Sequence, residues 1–85
     1  MHQEKEERFL VLLNKAKATL HIMPPLVVSY SFNLNWLCWS LKVQDGPYYH
    51  QSAVDVDANE EYLTNVLRMQ LQAIQWAKDS QVAAG

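Results

Sequence analysis

Oxygen-bearing side chains cluster in one short stretch of the chain, DVDANEE at positions 55–61. Their alternation matches the start of a calcium-binding EF-hand loop, in which carboxylate oxygens surround the ion. That loop also needs glycine at its sixth position and glutamate at its twelfth, where this chain has Glu60 and Val66. The stretch therefore indicates a strand end followed by the acidic first turn of a helix. It is still a negative patch suited to a basic partner, and its candidate contact residues are Asp57, Glu60 and Glu61.

The single cysteine and the three histidines are the other side chains with obvious chemistry. Cys38 and His50 fall on adjacent predicted strands and could act as nucleophile and base, but strand alternation assigns them to opposite faces. His2, His21 and His50 belong to three different predicted elements, whereas a zinc site uses closely spaced ligands. Two glycines in the whole chain exclude a glycine-rich phosphate loop. We therefore expect no enzymatic activity, no cofactor and no metal.

Length and composition predict one ordered domain, because 49% of the 85 residues are hydrophobic. A formal net charge of −2 disfavours nucleic-acid binding, which needs clustered Lys and Arg to displace phosphate counterions. The lone cysteine excludes an internal disulfide and suits a reducing compartment. The first residues lack the pattern of a signal peptide, and the apolar runs are far shorter than the ~20 residues of a membrane span. We expect a cytoplasmic protein without membrane association.

Hydrophobic spacing divides the chain into a helix, three strands and a second helix. Turns are indicated at 33–35, where asparagine tolerates positive φ, and at Asp45-Gly46. Asp57, with Glu60 three residues later, matches a capping box at the start of the last helix. The predicted elements are a helix at 3–21, strands at 26–33, 36–44 and 48–56, and a helix at 58–81. The predicted fold class is α+β in the order α-β-β-β-α, with two helices packed on one face of a three-stranded antiparallel sheet.

The stretch NWLCWSLK at positions 35–42 places two tryptophans on one predicted strand. Alternation directs Trp36 and Trp39 to opposite faces, and because both faces carry a tryptophan the sequence does not decide which is buried. A tryptophan on the open face belongs to the kind of apolar patch that marks an interface. The candidate contact residues on that face are Trp36, Lys42 and Tyr49.

Two families share features with this chain. The order α-β-β-β-α resembles the double-stranded-RNA-binding domain, which contacts RNA through a Lys-rich start of its last helix, whereas here that helix begins Asn59-Glu60-Glu61. Residues 36–77, WLCWSLKVQDGPYYHQSAVDVDANEEYLTNVLRMQLQAIQWA, resemble the ending of several small phage and mobile-element proteins, anti-CRISPR inhibitors among them. That resemblance rests on a Trp-rich strand, a glycine turn and a second strand leading into an acidic-capped helix. It implies occupation of a surface on a larger machine without catalysis, and it assigns no site residue because these inhibitors share no common motif.

Three classes of function follow. The leading hypothesis is a small protein-binding module, of the phage-inhibitor type, that blocks a surface of a host defence complex. The second is a structural homodimer, in which open sheet faces or the Leu10 and Val11 edges of the first helix pack on each other. The third is nucleic-acid binding of the double-stranded-RNA-binding type, which requires the convergence of Lys15, Lys17, Lys42 and Arg68.

Overall fold

The chain forms one layer of three strands that is covered by a layer of two helices. The computed structural model describes residues 2–84, and side chains within residues 3–81. Its elements are helix α1 His2–Thr19, strands β1 Val27–Asn33, β2 Cys38–Asp45 and β3 Tyr48–Asp55, and helix α2 Glu60–Ala84. The predicted α+β class and α-β-β-β-α order are confirmed. Within the described residues, neither helix combines the length and the apolar character needed to cross a membrane.

Strand β2 is central and pairs antiparallel with β1 on one side and with β3 on the other. Leu41 of β2 lies between Tyr30 of β1 and Ser52 of β3, and this row belongs to the inner face of the sheet. The neighbouring row, with Lys42 and Gln51, points to the outer face because side chains alternate along a strand. Side chains along each strand therefore alternate strictly between an inner face, which both helices cover, and an outer face.

The inner face of β2 carries the core, and this decides which of Trp36 and Trp39 is buried. Trp39 is buried and stacks on Phe9 of α1 with the ring centroids 4.5 Å apart. Tyr30 packs against the same Phe9 ring at 5.5 Å. These rings place α1 above β1 and β2, while α2 lies beside α1 and above β3. The buried hydrophobic residues are Phe9, Leu13, Ala16, Trp39, Leu41, Val43, Val54, Leu63, Leu67 and Ile74.

Helix α1 ends earlier than the predicted boundary at residue 21. His21 adopts a left-handed backbone with φ of 54°, and the N–H of Ile22 donates to the carbonyl oxygen of Lys17 at 3.0 Å. This is the bond of a Schellman cap, in which the residue after the helix reverses the chain. A local hydrogen-bonded cap therefore ends the helix before the prolines at 24 and 25 are reached.

The second hairpin follows the sequence prediction closely. Asp45 pairs with Tyr48, which leaves Gly46 and Pro47 as a two-residue loop. Gly46 has φ of 61°, the left-handed region that glycine enters without steric cost. The ends of β1 and β3 differ by one residue from the predicted strands at 26–33 and 48–56.

Candidate functional site at one end of the sheet

Two features that the sequence treats separately project from the same end of the sheet. Asn33, Cys38 and Asp55 form the last paired row across the three strands. Beyond this row lie the β1–β2 loop at 34–37 and the connection at 56–59 that leads into α2. The predicted tryptophan and the predicted acidic patch are therefore neighbours in the fold.

The β1–β2 loop contains Trp36, which the sequence assigned to a strand over 36–44. The strand begins at Cys38 instead, because the Asn33 side chain organises a turn. Its Oδ1 accepts hydrogen bonds from the backbone N–H of Asn35 at 3.0 Å and of Trp36 at 3.2 Å. Leu37 then takes a left-handed backbone with φ of 49°, which is uncommon for a bulky side chain. Trp36 is thus exposed because it lies in a loop, and not through strand alternation.

The loop presents a short run of apolar side chains to solvent. Leu34, Trp36 and Leu37 are exposed to 63%, 77% and 58%, respectively. We call these three residues the apolar tip. Single apolar residues are common on protein surfaces, but three large ones within four positions form a patch of the kind found at contact sites.

The acidic connection is held by side-chain to backbone hydrogen bonds that differ from the predicted capping box. Asp55 Oδ1 accepts from the N–H of Asp57 at 2.8 Å, and Asn59 Oδ1 accepts from the N–H of Tyr62 at 2.8 Å. Asn59 is therefore the N-cap of α2, and the prediction that Asp57 caps a helix starting at 58 is wrong. The helix begins two residues later than predicted, at Glu60, because the hydrogen bond from the N–H of Asp57 to the Asp55 side chain first forms a separate turn.

The carboxylates of this connection remain available to solvent. Glu60 and Glu61 lie in the first turn of α2, where negative charge is favoured by the helix dipole. Asp57 lies 4.0 Å from the guanidinium of Arg8 on α1, and both side chains are exposed. Such an exposed pair contributes about 0–1 kcal/mol and leaves Asp57 free to meet another cation. We call Asp57, Glu60 and Glu61 the acidic turn.

A shallow depression of about 210 Å³ lies beside the acidic turn, between Asp55, Asp57, Ala58, Asn59 and Tyr62. Small-molecule sites are usually larger, roughly 300–1,000 Å³, and more enclosed. Within the described residues, no group of three or more His, Cys, Asp or Glu side chains could hold a metal ion. The side chain of His2, one of the three histidines weighed as ligands, lies outside the described part. The chemistry of this end of the sheet is therefore that of a surface with an apolar tip and flanking negative charge.

Lys42 and Tyr49 do not share this end of the sheet. The Lys42 ammonium lies over the Tyr49 ring at 4.9 Å, and Tyr49 pairs with Gln44 near the opposite end of β2. At about 3.3 Å per residue, Gln44 lies roughly 20 Å along the strand from Cys38. The predicted single surface of Trp36, Lys42 and Tyr49 thus separates into a tip and a remote cation–aromatic pair.

The outer face between these two ends is polar and built of small residues. Ser31, Ser40 and Ala53 form one of its two middle rows, and Gln51 of the other donates a hydrogen bond to the Ser40 hydroxyl. Cys38 lies on this outer face and is partly buried. His50 lies on the inner face, where its Nδ1 is 3.4 Å from the hydroxyl of Ser52. The thiol and the imidazole are thus on opposite faces, as alternation predicts.

The four basic residues weighed for nucleic-acid binding lie on both sides of the protein. Lys15 and Lys17 are on α1 and Arg68 is on α2, in the layer that covers the inner face. Lys42 is on the outer face of the sheet. The sheet separates it from the other three, so these residues do not form one basic surface.

Sequence reasoning selects Trp36 and misses Leu34 and Leu37. Leu34 falls in the predicted turn at 33–35, and Leu37 falls on the same predicted strand face as the core tryptophan. The signal that identifies both is Asn33, because an asparagine side chain that accepts from the backbone two and three residues later forms an Asx turn. Because of that turn, residues 34–37 (LNWL) form a loop, and their apolar side chains are not paired across the sheet.

Comparison with known proteins does not add to this geometry. No protein-family model matches the chain, and no match is found among curated proteins or solved structures. Function is therefore inferred from the site itself.

Proposed function

We propose that the protein is a non-enzymatic protein-binding module that inserts its apolar tip into a hydrophobic groove of a larger partner. The observation that carries this proposal is the exposure of Leu34, Trp36 and Leu37 on one four-residue loop. Tryptophan is enriched among the residues that dominate binding energy at interfaces. A protruding loop suits a concave partner, because its side chains reach a groove that a flat sheet face cannot enter.

The loop is organised before it binds. Asn33 holds the backbone of Asn35 and Trp36 through two hydrogen bonds. A loop already in one conformation loses less conformational entropy on binding than a flexible loop does. The two hydrogen bonds from the loop backbone to Asn33 therefore favour a docking role for the apolar tip.

The acidic turn supplies the second element of recognition. Its carboxylates lie at the same end of the sheet as the apolar tip, and Asp57 makes an exposed 4.0 Å ion pair with Arg8. Complementary charge at the rim of an interface speeds association and selects partners. We therefore assign the acidic turn to basic residues that border the partner's groove.

The finer form of the proposal is that binding occludes a working surface of a host complex, as a phage-type inhibitor does. Its support is the resemblance of residues 36–77 to such inhibitors. A cytoplasmic location belongs to the same proposal and is supported by the single cysteine.

The test is affinity capture from nuclease-treated bacterial lysate, with mass spectrometry of the bound proteins. The baits are the unaltered protein, Trp36→Ala and, as a matched control, Tyr49→Ala, which removes an aromatic ring of similar exposure at the other end of the sheet. A stoichiometric partner that is retained by Tyr49→Ala and lost with Trp36→Ala supports the proposal. Equal capture by both variants contradicts it, and a partner that disappears on nuclease treatment points to nucleic acid instead.

Charge reversal tests the acidic turn separately. Glu60→Lys together with Glu61→Lys should slow association with the captured partner and reverse the salt dependence of its rate. An unchanged association rate removes the acidic turn from the site and leaves the apolar tip.

A further inference from the structure

Three large apolar side chains lie exposed in a line along α2. They are Tyr62, Met69 and Trp76, which are exposed to 48%, 51% and 63%. Because they recur every seven residues, they stay within roughly 40° of one direction around the helix. At about 100° per residue they share the apolar half of the helix with Leu63 and Leu67, but only the latter two are buried. We call Tyr62, Met69 and Trp76 the α2 stripe.

The α2 stripe faces sideways, over the outer edge of the sheet. Gln70 points at the sheet, since its Nε2 donates to the carbonyl oxygens of Leu41 at 2.9 Å and of His50 at 3.3 Å. The stripe is turned about 80–120° from Gln70 around the helix, which places it on one flank. Helix α1 lies over β1 and β2 and packs against the side of α2 that faces those strands. The exposed flank is therefore the one on the far side from α1, above the free edge of β3.

The edge of β3 below the stripe is unprotected. In the described chain β3 pairs only with β2. Its sequence, YYHQSAVD, has one charge at its end and no proline, so it lacks the devices that normally prevent edge pairing. Strand β1 is also an edge, but Val11 is the one large exposed apolar residue described on α1, so no comparable row lies beside it. Among the described residues, an open strand edge and an apolar helix flank coincide only at β3.

The centres of these two features lie at the same level. Met69 is the midpoint of the α2 stripe, and its neighbour Gln70 contacts Leu41, which pairs with Ser52, and His50. Gln51, between them, is at the middle of β3. A single twofold axis perpendicular to the sheet can therefore pass beside both Met69 and Gln51.

We infer that a second copy of this chain docks on this side, with β3 antiparallel to β3 of the other copy and α2 against α2. Such an axis brings Tyr62 of one copy to Trp76 of the other and sets the two Met69 side chains together. In the strand pair, His50 lies opposite Ser52 of the other copy, so inner-face residues stay on the inner face. The product is a six-stranded sheet covered on one side by four helices.

The surface is large enough for such a dimer. The three half-exposed large side chains supply roughly 240–400 Å² per copy, and the strand edge and the smaller side chains between them extend this area toward the roughly 600 Å² per copy of the smallest specific interfaces. A strand from an unrelated protein could extend β3 but would leave the α2 stripe uncovered, whereas a second copy covers both.

The dimer is independent of the proposed function, because the apolar tip lies between β1 and β2, away from the β3 edge. Each dimer carries two apolar tips at opposite ends of its sheet. A monomeric variant is thus expected to keep the tip-dependent partner, so the two proposals can fail separately.

The first test is light scattering on the full chain after size-exclusion chromatography over a range of concentrations. We expect twice the 9.8 kDa mass of one chain. Met69→Glu places carboxylates at the axis and should weaken self-association roughly tenfold or more. Val11→Glu, at a similarly exposed position on α1, is the matched control and should remain dimeric. A monomer at every concentration, or a dimer that survives Met69→Glu, overturns the inference.

Two further measurements do not depend on a destabilising substitution. In a Cys38→Ser background, Met69→Cys should be joined by a short bismaleimide, whereas Val11→Cys should not. Amide hydrogen exchange should slow along β3 with rising concentration and stay constant along β1. Crosslinking at Val11→Cys in place of Met69→Cys, or protection along β1, identifies another interface and overturns the inference.

Discussion

Gln70 in the middle of α2 donates a hydrogen bond to the backbone carbonyl oxygen of Leu41 in the central strand, at 2.9 Å. A second bond from the same nitrogen reaches the carbonyl oxygen of His50 in β3 at 3.3 Å. The amide is fully buried, and its Oε1 has no hydrogen-bond partner in the described structure. This side chain fixes where α2 lies on the sheet, at the cost of one unsatisfied acceptor.

Shortening the Gln70 side chain should destabilise the fold, whereas substituting an apolar side chain of similar shape should change its stability much less. Gln70→Ala opens a cavity under the sheet and should lower the free energy of unfolding by about 2–4 kcal/mol. Gln70→Met keeps the volume and removes the unsatisfied oxygen, so its effect should stay within about 1.5 kcal/mol. Urea unfolding measures both, with exposed Gln72→Ala as the control. Equal losses for the two Gln70 variants would show that the hydrogen bonds, and not the packing, dominate.

Trp36 and Trp39, the two tryptophans of the strand predicted at 36–44, should respond to substitution in opposite ways. Trp39 is buried against Phe9, so Trp39→Ala should cost about 3–5 kcal/mol of unfolding free energy. Trp36 is exposed on the loop, so Trp36→Ala should change stability by about 0.5 kcal/mol or less. Iodide quenching should lose an accessible component in Trp36→Ala. A large loss of stability in Trp36→Ala would place that ring in the core and remove the apolar tip.

The order of elements could be predicted because hydrophobic periodicity changes along the chain. The period of the apolar residues separates helices from strands, and Asp45-Gly46 marks a turn whose geometry suits glycine. The acidic turn could be chosen from sequence as exposed, and Trp36 could be named as a candidate, although the sequence left open which of the two tryptophans is buried. The closeness of the acidic turn and Trp36 could not be predicted, because it depends on the register that pairs Cys38 with Asp55.

The remaining differences arise where a side chain bonds to nearby backbone. Asn33, Asp55 and Asn59 each accept from an N–H two or three residues later, and together they shift the ends of β2 and α2. Periodicity does not report such local bonds. Nor does it divide an apolar arc into a buried part and an exposed part, since Met69 is apolar whether or not another surface covers it.

The position of the α2 cap can be tested directly. Asn59→Ala removes the acceptor for the N–H of Tyr62 and should cost about 1 kcal/mol. Asp57→Ala, two residues earlier, removes an exposed carboxylate and should cost about 0.5 kcal/mol or less. Thermal unfolding of the two variants under the same conditions decides between them. A larger loss in Asp57→Ala would restore the capping box that starts at Asp57.

The order that the Asn33 side chain gives to the apolar tip can be tested separately from the stability of the fold. Asn33→Ala removes the acceptor for two loop N–H groups and should increase fast motion of Trp36 in ¹⁵N relaxation. Asn33→Asp retains an acceptor oxygen and should keep the loop ordered. Binding of the captured partner should weaken in the alanine variant and persist in the aspartate variant. Identical loop motion in both would show that the flanking strands alone hold the tip.

Tyr30 makes the stability of the fold depend on pH in the alkaline range. Burial is the largest cause that raises the pKa of Tyr30 above its usual 10.0, and the hydrogen bond to Glu6 at 3.0 Å and the charge of Glu6 raise it further. The folded state therefore holds this proton more tightly than the unfolded state, so its contribution to stability is complete below pH 10 and is lost as pH rises through the folded pKa. Tyr30→Phe keeps the ring against Phe9 and should flatten the fall of unfolding free energy above pH 10, measured in urea. Tyr49→Phe, on the outer face, is the control and should keep the slope of the unaltered protein. The same slope in Tyr30→Phe would assign the alkaline loss to other groups and would separate the Tyr30–Glu6 bond from the stability of the fold.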